Sequence, residues 1–306
     1  MRESEESRQE LYALLGRLPR REGVPGARIV DREHRAGYIL ETIRLDLNDE
    51  EPVPAYLVLP NWGSPPYPAV IYNHAHGGDY QKGKRELLEG SRFHQDPPYA
   101  ELFGSLGIAA LAIDHWCFGE RSRNSELYTF KRMLWEGKVL WGMMVYDTLR
   151  AFDYLRTRPE IDRRSLGTLG LSMGSTMAWW SAALEPRISL CIDLCCLTDF
   201  QALLDTGGLG EHGIYYYVPD LLNHFSTAEI NALIAPRPHL SLAGEEDPLT
   251  PPEGLDRIDR ELRRVYGSLG VEERWQLLRF PSGHRETPEM RESVETWLRD
   301  SLLGSG

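Results

Sequence analysis

Gly170-Leu171-Ser172-Met173-Gly174 stands where two patterns meet. Residues 165–171 before it form a short apolar run that reads as a buried strand, and residues 173–184 after it read as a helix. A serine at such a join sits on a sharp strand-to-helix turn with strained backbone angles. The positions two before and two after it must then be small, so that strand and helix can approach closely. Gly170 and Gly174 meet that need, and Ser175 keeps the next position small as well. The five residues alone also describe a tight structural turn. Their place between a strand and a helix is what makes Ser172 a candidate nucleophile.

The same rhythm runs outward in both directions. Short apolar runs at 68–73, 108–114, 165–171, 188–195, 239–244 and 275–280 are each bounded by turn or breaker residues and read as strands of one mostly parallel sheet. Helical patterns near 99–106, 138–157, 173–184, 254–266 and 286–302 lie between and after them, which predicts an α/β fold with helices flanking the sheet. The last helix has a clear start, with the hydroxyl of Thr287 before Pro288 and Glu289. Residues 36–47 and 53–60 alternate around Asn48-Asp49-Glu50-Glu51-Pro52 and predict an antiparallel pair at the sheet edge. A helix over 3–15 and a Gly/Pro/Arg-rich connector predict an N-terminal helical extension over 1–35, ahead of a main domain over 36–306. Residues 199–234, with Tyr215-Tyr216-Tyr217, break the rhythm and read as a small insertion near the mouth of a site.

A serine hydroxyl needs a base to take its proton and a carboxylate to orient that base, and in this fold class they follow in the order Ser, acid, His. Asp247 lies on the loop past the 239–244 strand, and His284 lies just past the 275–280 strand. Loops at the carboxyl ends of parallel strands share one edge, so Ser172, Asp247 and His284 are expected to converge. Taken singly, Asp247 reads as a turn-forming Asp-Pro and His284 as a solvated loop histidine. Glu246 and Asp199 are the reserve acids. For the oxyanion, the amide of Met173 follows the nucleophile, and the second donor is expected from His76 or Gly77 in Tyr72-Asn73-His74-Ala75-His76-Gly77-Gly78. His74 and His76 with Asp79 also read as the start of a metal site, which would make a metal-dependent hydrolase. Nothing else in the chain completes a ligand set, so neither metal nor cofactor is expected.

Composition narrows the partners. The chain has 306 residues, 42% hydrophobic and 26% charged, with 34 basic against 46 acidic side chains, a formal charge of −12. Such a surface repels phosphate backbones and anionic lipid, so nucleic acid is not an expected partner. No apolar run approaches the roughly 18 to 20 residues of a membrane span. The acidic start, Met1-Arg2-Glu3-Ser4-Glu5-Glu6, lacks the pattern of a signal peptide. Four cysteines, Cys117, Cys191, Cys195 and Cys196, match neither a disulfide framework nor a zinc pattern and read as buried apolar residues of a cytoplasmic protein.

These residues together resemble an α/β-hydrolase, of the branch that holds dienelactone hydrolases, acetyl xylan esterases and prolyl-oligopeptidase-like esterases. The resemblance covers the chain from about residue 36 onward. His74-Ala75-His76-Gly77 resembles that branch's His-Gly-x-Gly oxyanion loop, with Ala75 in place of the first glycine. Asp114 to Ser122, with Phe118-Gly119-Glu120-Arg121, resembles a stretch that shapes the pocket floor, and Ala235-Pro236-Arg237-Pro238 is similar to the segment ahead of the acid strand. Three departures bear on substrate. Dienelactone hydrolases proper use cysteine where this chain has Ser172. Arg285 follows His284 where the cephalosporin deacetylase and acetyl xylan esterase group has Glu. The related peptidases carry a propeller domain that the first 35 residues cannot form.

The expected activity is therefore that of a serine carboxylic-ester hydrolase acting on a small-molecule ester with a compact acyl group such as acetyl. A peptidase or thioesterase of the same fold and an inactive hydrolase-fold binding module are the alternatives. His74, Trp116, Tyr215 and Tyr216 are the candidate pocket residues, as side chains able to stack on a sugar or aryl group.

Overall fold

The structure, a computed structural model, describes residues 2–304. The chain opens with helix α1 (Arg2–Ala13) and continues through strands β1 (Gly26–Arg35), β2 (Tyr38–Asp46), β3 (Val53–Pro60) and β4 (Tyr67–Asn73). Helices α2 (Glu86–Glu89) and α3 (Tyr99–Leu106) lead to β5 (Ala109–Ile113), and α4 (Glu126–Trp135) and α5 (Leu140–Leu155) lead to β6 (Ile161–Leu171). Helix α6 (Met173–Leu184) precedes β7 (Leu190–Leu194), and three short helices follow it, α7 (Phe200–Thr206), α8 (Leu221–His224) and α9 (Thr227–Ala232). Strand β8 (His239–Gly244), α10 (Pro252–Ser268), β9 (Trp275–Phe280) and α11 (Pro288–Leu298) complete the order.

Among the described residues the strands form one nine-stranded sheet in the order β1-β2-β3-β5-β4-β6-β7-β8-β9. β1 to β3 pair antiparallel, β3 joins β5 antiparallel, and every pairing from β5 to β9 is parallel. Alternate residues feed the two sides of the sheet. Ala109, Leu111 and Ile113 of β5 face a core shared with α1, α5, α6 and α10, while Ala110 and Ala112 face the core under α3 and α11. The register of α10 follows from burial at Leu255, Ile258, Leu262 and Tyr266, one side chain per turn on an otherwise charged helix. Helix α11 begins as its sequence predicts, with the Thr287 hydroxyl accepting the Met290 amide and Pro288 in first position.

The structure corrects the expected N-terminal extension in two ways. The sheet begins at Gly26, so the expected boundary at residue 36 falls behind a complete strand, and β1 rather than the β2–β3 pair forms the edge. All ten residues of β1 are exposed, so neither face is buried and no alternation appears in the sequence. Helix α1 is part of the main core. Leu11 and Leu15 are fully buried in it, and the Arg8 guanidinium donates to the carbonyls of Ala183 and Leu233. Helix α4 is absent from the sequence reading. No helix of the described residues is long and apolar enough to cross a membrane.

Candidate active site

The turn between β6 and α6 has the expected strain. Ser172 has φ 60° and ψ −121°, a conformation that L residues rarely adopt, and its amide donates to the Leu194 carbonyl on β7 at 2.9 Å. The two glycines are required by their surroundings. A Cβ on Gly170 would lie 2.4 Å from the Gly174 backbone, and one on Gly174 would lie 2.0 Å from the carbonyl oxygen of Asn73, the last residue of β4. The elbow is therefore packed back to back with the loop that leaves β4. Below it, the fully buried Asp193 of β7 accepts from Ser175 Oγ at 3.3 Å and Ser241 Oγ at 2.9 Å, and pairs with His239 Nε2 at 2.7 Å. This network ties the first turn of α6 to β8, the strand that carries the acid loop.

Ser172, His284 and Asp247 come together in the expected order. His284 Nε2 lies 2.9 Å from Ser172 Oγ, and His284 Nδ1 lies 2.8 Å from Asp247 Oδ2. A carboxylate only accepts, so Nδ1 carries the ring proton of the neutral imidazole, and Nε2 is left with a lone pair facing the serine hydroxyl. The Asp247 side chain is buried, and its Oδ1 accepts the Leu249 amide at 2.9 Å. The loops after β8 and β9 are pressed together. A Cβ on Gly244 would meet the Ser282 carbonyl at 2.3 Å, and the Glu245 and Glu246 amides donate to Phe280 and Ser282. The Phe93 ring stands edge-on to His284 with centroids 5.9 Å apart. The reserve acids are used elsewhere: Glu246 is exposed, and Asp199 caps α7 through the Ala202 amide.

Residues 74–79 form the loop after β4, beside the nucleophile. The Ala75 amide is held by the buried Glu86 at 2.9 Å, the Gly78 amide donates to His76 Nδ1 at 3.1 Å, and the Asp79 amide donates to the His76 carbonyl. Among the described residues, the amides of His76 and Gly77 have no protein acceptor. Met173 opens α6, so its amide has no acceptor within the helix. These are the three amides named from the sequence as oxyanion donors. A cavity of about 510 Å³ opens from this loop and is lined by His76, Gly77, Lys82, Ser91, Arg92 and Phe93.

The expected pocket residues divide. Tyr215 stacks on His76 with centroids 5.4 Å apart, and Phe118 meets the same imidazole edge-on at 5.1 Å. Tyr80 and Glu126 complete this wall. Burial and the Glu126 carboxylate push the Tyr80 phenol up to about 12. Tyr216 stacks on His212 of the insertion, and His212 Nε2 lies 3.1 Å from the Leu249 carbonyl, beside the acid loop. A carbonyl only accepts, so His212 donates there through Nε2–H, and burial lowers the pKa of the ring. His74 and Trp116 belong to packing behind the site. His74 is fully buried, with Nδ1 on the Ala75 carbonyl at 2.9 Å and Nε2 accepting the His115 amide at 3.2 Å, and burial lowers its pKa. Trp116 is buried under the Arg121 guanidinium, 4.3 Å from its ring centroid. His74 is thus committed to backbone partners at both ring nitrogens, His76 accepts a backbone amide at Nδ1 and turns Nε2 to Glu126 Oε1 at 3.3 Å, and Asp79 accepts the Gln81 amide. The one grouping of three metal-type side chains among the described residues, Cys191, Asp193 and His239, is buried elsewhere in the sheet. Glu86, His212 and Asp193 were not singled out in the sequence, because each acts across an intervening stretch with no local pattern.

Comparison with known proteins fits this picture. No family model matches the chain. A protein of Bacillus subtilis (strain 168) named "Putative hydrolase YtaP" is 48% identical over 299 residues, covering 97% of this chain and 99% of that protein. Among solved structures, a "putative acetyl xylan esterase" of Bacteroides fragilis NCTC 9343 superposes with a TM-score of 0.72 at 20% identity, over 90% of this chain and 74% of that one. A glucuronoyl esterase from Solibacter usitatus gives 0.68 at 16% identity, over 95% and 91%. At these identities the likeness to the two solved structures is one of fold, the α/β-hydrolase fold.

Proposed function

The chain belongs to the same family as YtaP of Bacillus subtilis, and from that premise we propose that it is a serine carboxylic-ester hydrolase working through an acyl-enzyme. The observation that carries this reading is the continuous contact Ser172 Oγ–His284 Nε2–His284 Nδ1–Asp247 Oδ2, at 2.9 and 2.8 Å, on a serine with positive φ. In the proposed cycle, His284 takes the hydroxyl proton as Ser172 attacks the ester carbonyl, and Asp247 stabilises the imidazolium that results. The amides of Met173 and of His76 or Gly77 receive the oxyanion. His284 then protonates the leaving alcohol, and water repeats the sequence on the acyl-enzyme to release the acid. The hydrolase name of YtaP and the esterase names of the structural neighbours support the reaction class. A cytoplasmic setting belongs to the same proposal, supported by four cysteines that are all buried thiols.

A fluorophosphonate is the direct test. It should add once, to Ser172, as located by mass spectrometry of the digested protein, and the extent of labelling should be indifferent to chelator. Labelling elsewhere, or none in the folded protein, would overturn the mechanism. Metal-dependent turnover would return attention to His74 and His76.

The acyl portion is proposed to be compact, of acetyl type. Support comes from the wall beside the oxyanion loop, where His76, Phe118 and Tyr215 fill the space with rings 5.1 and 5.4 Å apart. In a series of p-nitrophenyl esters from acetate to decanoate, kcat/KM is expected to peak at the two- to four-carbon acids. A maximum at eight carbons or beyond would show that the wall does not limit the acyl group.

A further inference from the structure

We infer that Glu86 is a positioning residue of the oxyanion loop, an inference that rests on the esterase reading above. Glu86 is 3% exposed at the start of α2, and a carboxylate so placed is costly unless it is well hydrogen-bonded. Its Oε1 receives two donors, the Ala75 amide at 2.9 Å and the Tyr72 hydroxyl at 3.0 Å. Ala75 directly precedes the two amides that have no protein acceptor. With the Ala75 N–H turned back onto Glu86, the chain proceeds through Gly77 and Gly78 at φ 55° and 72°, and the His76 and Gly77 amides are released from the loop's own hydrogen bonding.

The contact is one end of a longer brace. Tyr72 has a single proton, which goes to Glu86. His94 Nε2, 3.2 Å from the Tyr72 oxygen, is then the donor to it, and His94 Nδ1 accepts from Ser91 Oγ at 2.8 Å. Ser91 Oγ also accepts the Phe93 amide at 3.3 Å. The Phe93 carbonyl accepts the Glu286 amide at 2.8 Å, two residues beyond His284, and the Phe93 ring lies against the His284 ring. One hydrogen-bonded path therefore joins the oxyanion loop to the loop of the base. A negative charge this close to the oxyanion opposes it electrostatically, so Glu86 must act by placing amides and not by its charge.

That distinction sets the experiment. Glu86→Gln keeps an acceptor oxygen at the same reach. Glu86→Asp keeps the charge but is one methylene short of Ala75, and Glu86→Ala removes both. On a short-chain aryl ester, the Asp and Ala variants are expected to lose about 10- to 100-fold in kcat, part of the 10²- to 10³-fold typical of a lost oxyanion donor. KM should stay within about threefold, and fluorophosphonate labelling of Ser172 should slow in parallel with kcat. The Gln variant should recover most of the loss. Thermal melting of each variant gives folding a separate readout, and Asp guards against an Ala variant that does not fold. Wild-type kcat in the folded Asp variant would overturn the inference. So would a Gln variant as slow as Asp, or losses confined to KM. If wild-type and Ser172→Ala proteins turned over the ester equally, the esterase reading itself would fail, independently of Glu86.

Discussion

Ser172→Ala is expected to lower kcat/KM on a short-chain aryl ester by about three orders of magnitude or more, while leaving the protein folded. At about 1.4 kcal/mol per factor of ten, that is a loss of about 4 kcal/mol or more of transition-state stabilisation. The size follows from what the substitution removes. Oγ is the one atom that faces His284 Nε2, at 2.9 Å, and without it no acyl-enzyme forms. The amides of Met173, His76 and Gly77 are untouched, so residual turnover by water in a site that still binds the oxyanion is part of the expectation. Stability should change little. The strained φ of 60° is as tolerable for alanine as for serine, and the Ser172 amide keeps its bond to Leu194. The measurement is a progress curve beside a thermal melt. Unchanged turnover in the folded variant would remove Ser172 from the chemistry.

The sequence made the elbow legible because its requirement is steric and local. A Cβ at 170 or 174 collides with backbone, so glycine there carries structural information in two letters. Asp247 and His284 were legible for a related reason, since each directly follows a strand of the parallel sheet, where loops gather along one edge. The loop at 74–79 was readable only in part. Its glycines mark the turn, but which amides stay uncommitted depends on Glu86 capturing Ala75 from eleven residues away, and nothing around Glu86-Leu87-Leu88 announces a buried acid. His74 misled for the complementary reason. Its spacing from His76 resembles a ligand pair or a pocket wall, whereas burial and two hydrogen bonds fix it behind the loop. β1 was missed because hydrophobic periodicity reports burial, and a strand exposed along its whole length has none to report. Helix α1 reads as an extension because half of its sequence is charged; within it the core contacts come from Leu11 and the partly buried Tyr12 near its end, too few to set a pattern, and Leu15 joins them just beyond the helix.

Asp247→Asn is expected to cost about 10³- to 10⁴-fold in kcat, although it changes one atom and hardly alters the shape of the site. The reason lies on the side of Asp247 that faces away from His284. Oδ1 accepts the Leu249 amide at 2.9 Å, and the Leu249 carbonyl, on the next peptide, is held by Thr198 Oγ1 and His212 Nε2, so Leu249 is anchored on both sides and its N–H stays aimed at position 247. An asparagine must therefore point its carbonyl oxygen at Leu249, which leaves its amide NH₂ facing His284 Nδ1. That nitrogen then accepts, the ring proton moves to Nε2, and Nε2–H meets the Ser172 hydroxyl with no lone pair to receive its proton. The base is present, correctly placed and in the wrong tautomer. Glu246 cannot substitute, since it is exposed and its backbone is tied to Ser282, and Asp199 is occupied as the cap of α7. Asp247→Ala, which leaves Nδ1 to water and the tautomer undecided, is expected to be no worse than Asn despite removing more of the side chain. If instead Asn retained activity within tenfold of wild type while Ala did not, Asp247 would be filling space beside His284 and not setting its proton.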